Sequence, residues 1–507
     1  MNTPAIQNRS LYPSGPRPED RRPHVVVVGG GIAGLSAAAH LSGVADGTAS
    51  GALVTVLESA GRLGGKLLRA EVGGLAVDLG AEAVFVRRPA ALELARQVGL
   101  GHELEPPSTM EAAILTRGKS RPLPMGHLLG IPGDLRALAA CGILSRDGLI
   151  RACWDLQLPR TQVGDDIAIG RYVAARMGRE VVDRMVEPLL GGIYAGHADH
   201  ISMRATLPGL LAAARDERSL VESIHRMRRP DPGKADLLAP KPPGHGAPPP
   251  FRTVRGGMGR LPLALARACR SAGVDIRTGV EVRDLERVTH GWALTVHHAG
   301  RAQRMDADAV VLAVPAPAAA RLLARQAPSA AAVLRAVEYA DTALITLVFE
   351  RSDLAALPHG SGLLVPPVDG RLVKAVTFSS NKWSWPGRYA PDKFVVRVSV
   401  GRHGEDTAVV LDDQELVARS RTELAQATGL FAAPCDTAVT RWRTGLPQYA
   451  VGHVTRMEHV HEQVRKLGTL AVCGAAYDGV GITACVEGAQ RAAAAITASL
   501  PARVHSI

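Results

Sequence analysis

The sequence of 507 residues predicts an α/β fold, α+β overall, with a parallel sheet at its centre. The first observation behind this prediction is a run of four valines at 25–28, typical of a strand buried on both faces. The run leads into a glycine turn and an alanine-rich helix at 33–41. The second observation is that two later blocks, at 251–272 and 470–497, again place a glycine turn before a helix. Three separated blocks of one kind predict a single nucleotide-binding domain assembled from distant pieces.

The glycine turn after the valine strand has the GxGxxG spacing of dinucleotide-binding sites. Gly29 allows a tight turn, Gly31 lets the backbone approach a pyrophosphate, and Gly34 lets the helix pack close to the strand. The free N–H groups at the start of the helix favour negatively charged phosphates. The residues of this block that we predict to bind the cofactor are Gly29, Gly30, Gly31, Ile32, Ala33, Gly34 and Leu35.

A second strand, at 53–57, ends on an acidic residue, Glu58. A carboxylate at this point of a Rossmann-like domain accepts both hydroxyls of an adenosine ribose and repels a 2′-phosphate. The next residues complete an ExxxRxGGK pattern, in which the paired glycines allow a second close approach and the cations lie near a diphosphate. The residues of this pattern that we predict to bind the cofactor are Glu58, Ser59, Arg62, Gly65 and Lys66.

Composition excludes several classes of protein. A hydrophobic fraction of 46% and a charged fraction of 21% describe a globular chain long enough for more than one core. The six cysteines form no CxxC pair and no metal-ligand cluster, so we expect no metal and a reducing compartment. The net charge of +11 admits a polyanionic partner, but only 4% of the residues are aromatic, which argues against nucleic acid.

The N-terminal residues 1–22 are rich in proline and arginine and lack the apolar core of a signal peptide. We expect them to form a disordered leader of a cytoplasmic protein. No apolar run approaches the length that a membrane span requires, so no transmembrane segment is expected. Weak peripheral contact with a membrane through an amphipathic helix stays open.

Further motifs resemble the protoporphyrinogen oxidase family, FAD-dependent proteins of the amine oxidase superfamily, from about residue 24 to 500. They are VEPLLGGIYAG at 186–196, LPMG at 123–126, the pair Lys382 and Trp383, and LPQYAVGH at 446–453. Within that family, the sequence as a whole is most similar to the branch of soluble coproporphyrinogen III oxidases of high-GC Gram-positive bacteria.

The resemblance implies FAD as cofactor and an enzyme of heme biosynthesis. It implies oxidation of coproporphyrinogen III to coproporphyrin III in three two-electron steps, with dioxygen as acceptor and hydrogen peroxide as product. Hydride passes from a methylene bridge to flavin N5, so no catalytic residue of the chain is assigned. The implied partners are the porphyrinogen, a polycarboxylate, dioxygen, and a ferrochelatase that takes over the product.

The same resemblance assigns further residues to the site. Those implied to contact the cofactor are Gly80, Ala81, Glu82, Val282, Trp442, Gly474, Val480, Gly481 and Ile482. Those implied or expected on the substrate side are Gly192, Ile193, Tyr194, Arg87, Arg88 and Lys382, the last three because propionates require cations. The alternatives are a core position for Trp442, a plain helix-to-helix turn at 192–194, solvated basic residues, and a hydrogen-bonded structural role for His453.

The predicted organisation is discontinuous. The FAD-binding domain comprises 23–84, 252–320 and 441–500, a mixed-sheet substrate domain comprises 85–115, 212–251 and 321–440, and a helical domain of 116–211 is inserted. The stretch 229–250 holds eight prolines and predicts a flexible loop.

Three other functions stay open at this point. The nearest is a membrane-associated protoporphyrinogen IX oxidase, which acts on a more apolar dicarboxylate. The second is another flavin oxidase of the superfamily, acting on amines or carotenoids. The third is a flavin-containing chaperone or sensor without turnover.

Overall fold

The computed structural model describes residues 22–48, 50–86, 88–228, 249–405 and 410–500. The predicted leader except residue 22, the proline-rich stretch except 249–250, and Arg87 therefore lie outside the described residues. Among those that are described, no helix is both long and apolar enough to cross a lipid bilayer.

The strands in the described ranges, β1 to β22 in chain order, are His24–Val28, Leu53–Glu58, Arg69–Val72, Leu75–Asp78, Val84–Phe85, Leu104–Glu105, Ala112–Thr116, Lys119–Pro122, His127–Leu128, Ile131–Pro132, Phe251–Val254, Asp275–Thr278, Val280–Val288, Gly291–His298, Arg301–Ala307, Ala309–Leu312, Tyr339–Glu350, Gly362–Leu364, Val373–Phe378, Lys393–Val400, Asp436–Pro447 and Leu470–Val472.

The α-helices in the same ranges are Ile32–Leu41, Ala90–Gln97, Leu135–Cys141, Arg146–Cys153, Ile169–Met177, Arg179–Val181, Glu187–Tyr194, Met203–Thr206, Pro208–Asp216, Leu220–Met227, Arg260–Ser271, Ala316–Leu323, Pro328–Arg335, Ser379–Lys382, Trp385–Tyr389, Asp413–Thr428, His453–Arg465 and Ile482–Ser499. Short 3₁₀ turns lie at Gly101–Glu103, Trp154–Leu156, Arg351–Asp353 and Pro367–Asp369, and Val182–Val186 is a π-helical turn.

The valine strand β1 lies at the centre of a five-stranded parallel sheet with the order β12-β2-β1-β16-β22. Its valines are at most 4% exposed, because Val25 and Val27 pack into one hydrophobic core and Val26 and Val28 into another. The first core contains the helices Ile32–Leu41 and Ile482–Ser499, and the second contains strands β13 to β15. The sheet is thus covered on both faces, and its loops at one edge meet at a common site.

A second, seven-stranded sheet of mixed direction has the order β21-β17-β20-β19-β18-β7-β8. One face packs on the helix Asp413–Thr428 through alternate residues such as Val396 and Val398. Intervening residues, including Arg397, lie on the opposite face. The parallel sheet together with this mixed sheet confirms the predicted fold class.

Helices between residues 135 and 227 share one hydrophobic core. At its centre Arg176 and Asp155 form a fully buried ion pair, and Ser219 and the N–H of Val221 also donate to the Asp155 carboxylate. The helix Leu220–Met227 follows the predicted helical domain, yet it packs into this same core.

Candidate functional site

The glycine turn after β1 is a backbone cradle. Gly29 has a φ of +110°, and a Cβ built on it would lie 2.5 Å from the Ala313 carbonyl oxygen. A Cβ on Gly34 would lie 1.8 Å from the Gly29 carbonyl oxygen, so the helix starts in contact with the turn. A Cβ on Gly31, the residue before the helix Ile32–Leu41, would meet no atom within 4 Å. Free space therefore faces the helix N-terminus, which suits the diphosphate of a dinucleotide.

The Glu58 carboxylate lies beside this cradle. Its Oε2 accepts a 2.7 Å hydrogen bond from the Gly30 N–H, and its Oε1 accepts one of 2.7 Å from the Ala60 N–H. These two bonds fix the carboxylate at the end of β2. Val282 lies nearby, because the preceding strand β12 pairs Thr278 with Glu58, and the Val282 side chain packs in the core with Leu57.

The paired glycines form a second close approach. Gly64 and Gly65 have φ values of +98° and +55°, and Gly64 donates a 2.9 Å hydrogen bond to the Gly30 carbonyl. A Cβ on Gly65 would lie 3.3 Å from Gly31 Cα. The Arg62 side chain donates to the Gly65 carbonyl at 2.9 Å, which fixes the shape of the loop itself.

Lys66 follows the paired glycines and is half-buried. Its ammonium group has no hydrogen bond or ion pair within the part of the chain that the structure describes, and burial lowers its pKa. A buried ammonium without a partner is costly unless an anion lies beside it. Together with the open cradle at Gly31, this cation fits the diphosphate of FAD.

The strip Gly80, Ala81 and Glu82 joins Lys66 to the second half of the site. A Cβ on Gly80 would lie 1.9 Å from the Lys66 carbonyl oxygen and 3.2 Å from the Trp442 ring. Ala81 donates to the Lys66 carbonyl at 3.0 Å, and Trp442 Nε1 donates to the Leu79 carbonyl at 3.0 Å. Trp442 thus stands over this strip.

Glu82 forms ion pairs with two cations of the mixed-sheet region. Lys382 Nζ lies 2.6 Å from Glu82 Oε1, and Arg397 contacts Oε2 and donates to the Gly80 carbonyl at 2.5 Å. Burial alone would raise the pKa of Glu82, but the two cations outweigh it and lower the pKa to about 2. Sequence reasoning missed Arg397, although a lone arginine within the apolar strand β20 was a usable signal.

The third block brings a second helix N-terminus to the cradle. Gly481 caps the helix Ile482–Ser499, and a Cβ there would meet no atom within 4 Å. A Cβ on Gly474 would lie 3.7 Å from the Ala33 side chain, and the Gly474 N–H donates to Asp478 at 2.9 Å. Val480 and Ile482 flank the cap. Two helix starts, more than four hundred residues apart in sequence, therefore lie side by side.

The predicted substrate wall is the end of the helix Glu187–Tyr194. Gly192 is exposed and Ile193 is 42% exposed, and the helix ends where Ala195 has a φ of +49°. The Tyr194 carbonyl accepts a 3.0 Å hydrogen bond from Gln448 Nε2. The wall therefore contacts the segment that follows β21.

Tyr449 links this wall to the third block. Its ring centroid lies 5.9 Å from that of Tyr194 and 4.2 Å from that of His453, on which it stacks. The Tyr449 hydroxyl donates to the Ala475 carbonyl, and His453 Nε2 lies 2.9 Å from the Ala476 carbonyl. Burial lowers the pKa of His453 to about 4, so the neutral ring donates this bond. Sequence reasoning placed LPQYAVGH in the family but missed the role of Tyr449.

Two of the three basic residues expected near the substrate have acidic partners. Arg88 forms an ion pair with Glu487, and Lys382 forms one with Glu82. Arg87 lies outside the described residues. The two described cations are therefore each already paired with an acidic side chain of the chain.

Known proteins resemble the chain along nearly its whole length. Residues 32–497 match the model of the family described as flavin containing amine oxidoreductase. A coproporphyrinogen III oxidase of Mycobacterium bovis is 36% identical over 94% of this chain and 98% of its own length. Human protoporphyrinogen oxidase is 28% identical over 94% and 99%.

A crystal structure of an Exiguobacterium protein assigned as a protoporphyrinogen oxidase superposes with a TM-score of 0.80. The two chains are 29% identical, and the match covers 94% of this chain and 99% of that one. The flavin-containing family confirms the predicted cofactor, FAD, and makes the protein an oxidoreductase. The chain belongs to the flavin-containing amine oxidoreductases and, among them, to the family of protoporphyrinogen and coproporphyrinogen oxidases.

Proposed function

We propose that this protein oxidises coproporphyrinogen III to coproporphyrin III in heme biosynthesis. The observation that carries the proposal is the link between the Tyr194 wall and the Ala475–Ala476 turn through Tyr449 and His453. This link connects the expected substrate wall to the place where two helix N-termini meet. The mycobacterial relative's name supplies the substrate.

The chain's own residues bind and orient the two reactants. The cradle at Gly29 to Gly34, with Lys66, would hold the negative diphosphate, and Glu58, fixed by the Gly30 N–H, would accept the ribose hydroxyls. When bound, FAD supplies the hydride acceptor, N5 of its ring. N–H groups at the start of Ile482–Ser499 would favour negative charge on the ring of the bound cofactor. Trp442 and the Gly80 strip, which lie against each other beside Lys66, would form a further part of the cofactor site.

The overall reaction removes six hydrogens from the porphyrinogen in three two-electron steps. Each pair of electrons, with two protons, reduces one dioxygen to hydrogen peroxide, so three of each are turned over per coproporphyrin. Positioning of the macrocycle against the cofactor is the protein's main contribution. We propose that the reaction takes place in the cytoplasm, and that a ferrochelatase receives the product.

The test is aerobic turnover by the purified FAD-loaded protein. Porphyrin fluorescence should rise with coproporphyrinogen III, with three dioxygen consumed and three peroxide formed per porphyrin. Anaerobic samples are the control, and in them porphyrin formation should stop once the bound cofactor is reduced. Protein that takes up no FAD would contradict the proposal.

A second candidate is oxidation of protoporphyrinogen IX, which is favoured by the name of the human relative. The same assay compares the two porphyrinogens under identical conditions. A higher kcat/KM for protoporphyrinogen IX would show that this compound, and not coproporphyrinogen III, is the preferred substrate. A higher kcat/KM for coproporphyrinogen III is the expected result.

A further inference from the structure

Two buried cations lie next to each other behind the substrate wall. Lys374 is at the start of β19 and Arg402 follows β20, and each is only 3% exposed. Lys374 Nζ donates to the Gly401 carbonyl at 2.9 Å, and Arg402 Nη2 donates to the Val365 carbonyl at 3.1 Å. Backbone carbonyls therefore hold both side chains in fixed positions, with further N–H donors left over.

The positive charge of this pair is only partly balanced by the described carboxylates around it. Glu405 Oε1 lies 3.6 Å from Arg402 Nη1, and its side chain is 35% exposed. Glu187 is the other nearby acid, but its oxygens already accept from His197 at 2.9 Å and from the Ala198 N–H at 2.7 Å.

Burial, reinforced by Arg402, lowers the pKa of Lys374 to about 7, and burial also lowers that of Arg402. Burying two like charges destabilises the fold. An anion beside the pair would remove most of that cost, and perturbed cations of this kind are frequent at functional sites.

The pair is placed beside the wall by a glycine. Arg402 Nε lies 4.0 Å from the position of a Cβ on Gly191, and no other atom lies within 4 Å of that position. A Cβ on the next residue, Gly192, would point at the Leu364 side chain of β18. The missing side chain at Gly191 leaves the edge of the guanidinium beside the helix end that forms the predicted wall.

We propose that Lys374 and Arg402 form a subsite that binds one carboxylate of the substrate at the Gly191 end of the wall. The inference rests on the proposed function, which supplies a substrate with four propionates. A guanidinium fork and an ammonium group together match a carboxylate. The cations expected from the sequence, Arg88 and Lys382, are already paired with carboxylates of the chain.

The experiment compares Lys374→Met and Arg402→Gln with the wild-type holoenzyme and with Arg270→Gln, which changes an exposed arginine on Arg260–Ser271. Coproporphyrin III is titrated into each protein, and KM and kcat for coproporphyrinogen III are measured separately. We expect Kd and KM to rise at least about tenfold in the two subsite variants, with little change in kcat. Arg402→Lys should recover part of the affinity, and Arg270→Gln should match the wild type.

The Glu405→Gln substitution tests the subsite by an expected gain in affinity, whereas the first two substitutions test it by an expected loss. This substitution removes the acid that competes for Arg402, so coproporphyrin III should bind about threefold more tightly or better. FAD-loaded Lys374→Met and Arg402→Gln proteins with wild-type Kd would overturn the subsite. If neither accumulates with FAD, a Glu405→Gln protein that binds no more tightly would overturn it. A wild-type enzyme that oxidises no coproporphyrinogen III contradicts the proposed function instead.

Discussion

The cofactor half and the substrate half of the site differ in how their residues are held. In the cofactor half, glycines at 29 and 34 let backbone segments touch, Gly31 leaves open space at the helix start, and their spacing in the sequence already specifies this arrangement. In the substrate half, charged side chains lie on partners from remote segments, as Lys382 does on Glu82. Backbone geometry can therefore be predicted from a local pattern, whereas the net charge of a pocket depends on pairs that no local pattern specifies.

The largest expected effect is in the cofactor half. Gly34→Val places a side chain where even a Cβ would lie 1.8 Å from the Gly29 carbonyl oxygen, so the turn and helix must separate. We expect FAD affinity to fall by roughly a hundredfold or more, about 3 kcal/mol. Flavin absorbance of the purified protein and FAD titration measure this. Gly61→Ala is the matched control, because a Cβ there meets no atom within 4 Å.

A substitution of Arg397 tests whether the ion pairs of Glu82 also affect the cofactor half of the site. Arg397→Gln leaves Glu82 and the Gly80 carbonyl without their shared donor, and the Arg397 side chain is only 8% exposed. Removing one partner of a buried pair costs about 3–5 kcal/mol. Denaturant unfolding of the holo protein should show this loss, together with a shifted flavin spectrum. An unchanged spectrum would mean that Arg397 stabilises the fold without reaching the cofactor site.

The pH dependence of stability tests the same ion pairs. The pKa of Glu82 is depressed to about 2, so its pairs stabilise the fold above the ordinary pKa of 4.5, and this stability disappears as pH falls towards 2. The difference in unfolding free energy between wild type and Glu82→Gln should be constant above about pH 5 and shrink below it. A difference that does not change with pH would contradict the pairing.

The smallest expected effect is in the substrate half. Arg88 is 42% exposed and paired with Glu487, and exposed pairs contribute about 0–1 kcal/mol. Arg88→Gln should change KM for coproporphyrinogen III less than about threefold. A tenfold rise in KM would contradict this difference between the two halves, because it would indicate that Arg88 contacts the substrate directly.

Much of the fold followed from the sequence because its signals are local. The valine strand, the Glu58 strand and the helix of the third block all occur where their patterns predict them, and the helix predicted at 33–41 begins one residue earlier, at Ile32. The roles of Arg397, Lys374 and Tyr449 did not follow. Arg397 depends on Gly80 and Tyr449 on Tyr194, each hundreds of positions away, and Lys374 depends on Gly401, which follows the neighbouring strand β20.

The strand order β12-β2-β1-β16-β22 has a consequence for biosynthesis. The neighbouring strand β2 is synthesised soon after the valine strand β1. The neighbour on the other side, β16, ends at Leu312, and the edge strand next to it, β22, ends only at Val472. During translation the apolar strand must therefore wait tens of seconds for its sheet to be completed. Because the predicted cofactor site includes Gly481, it is complete only when almost the whole chain has left the ribosome.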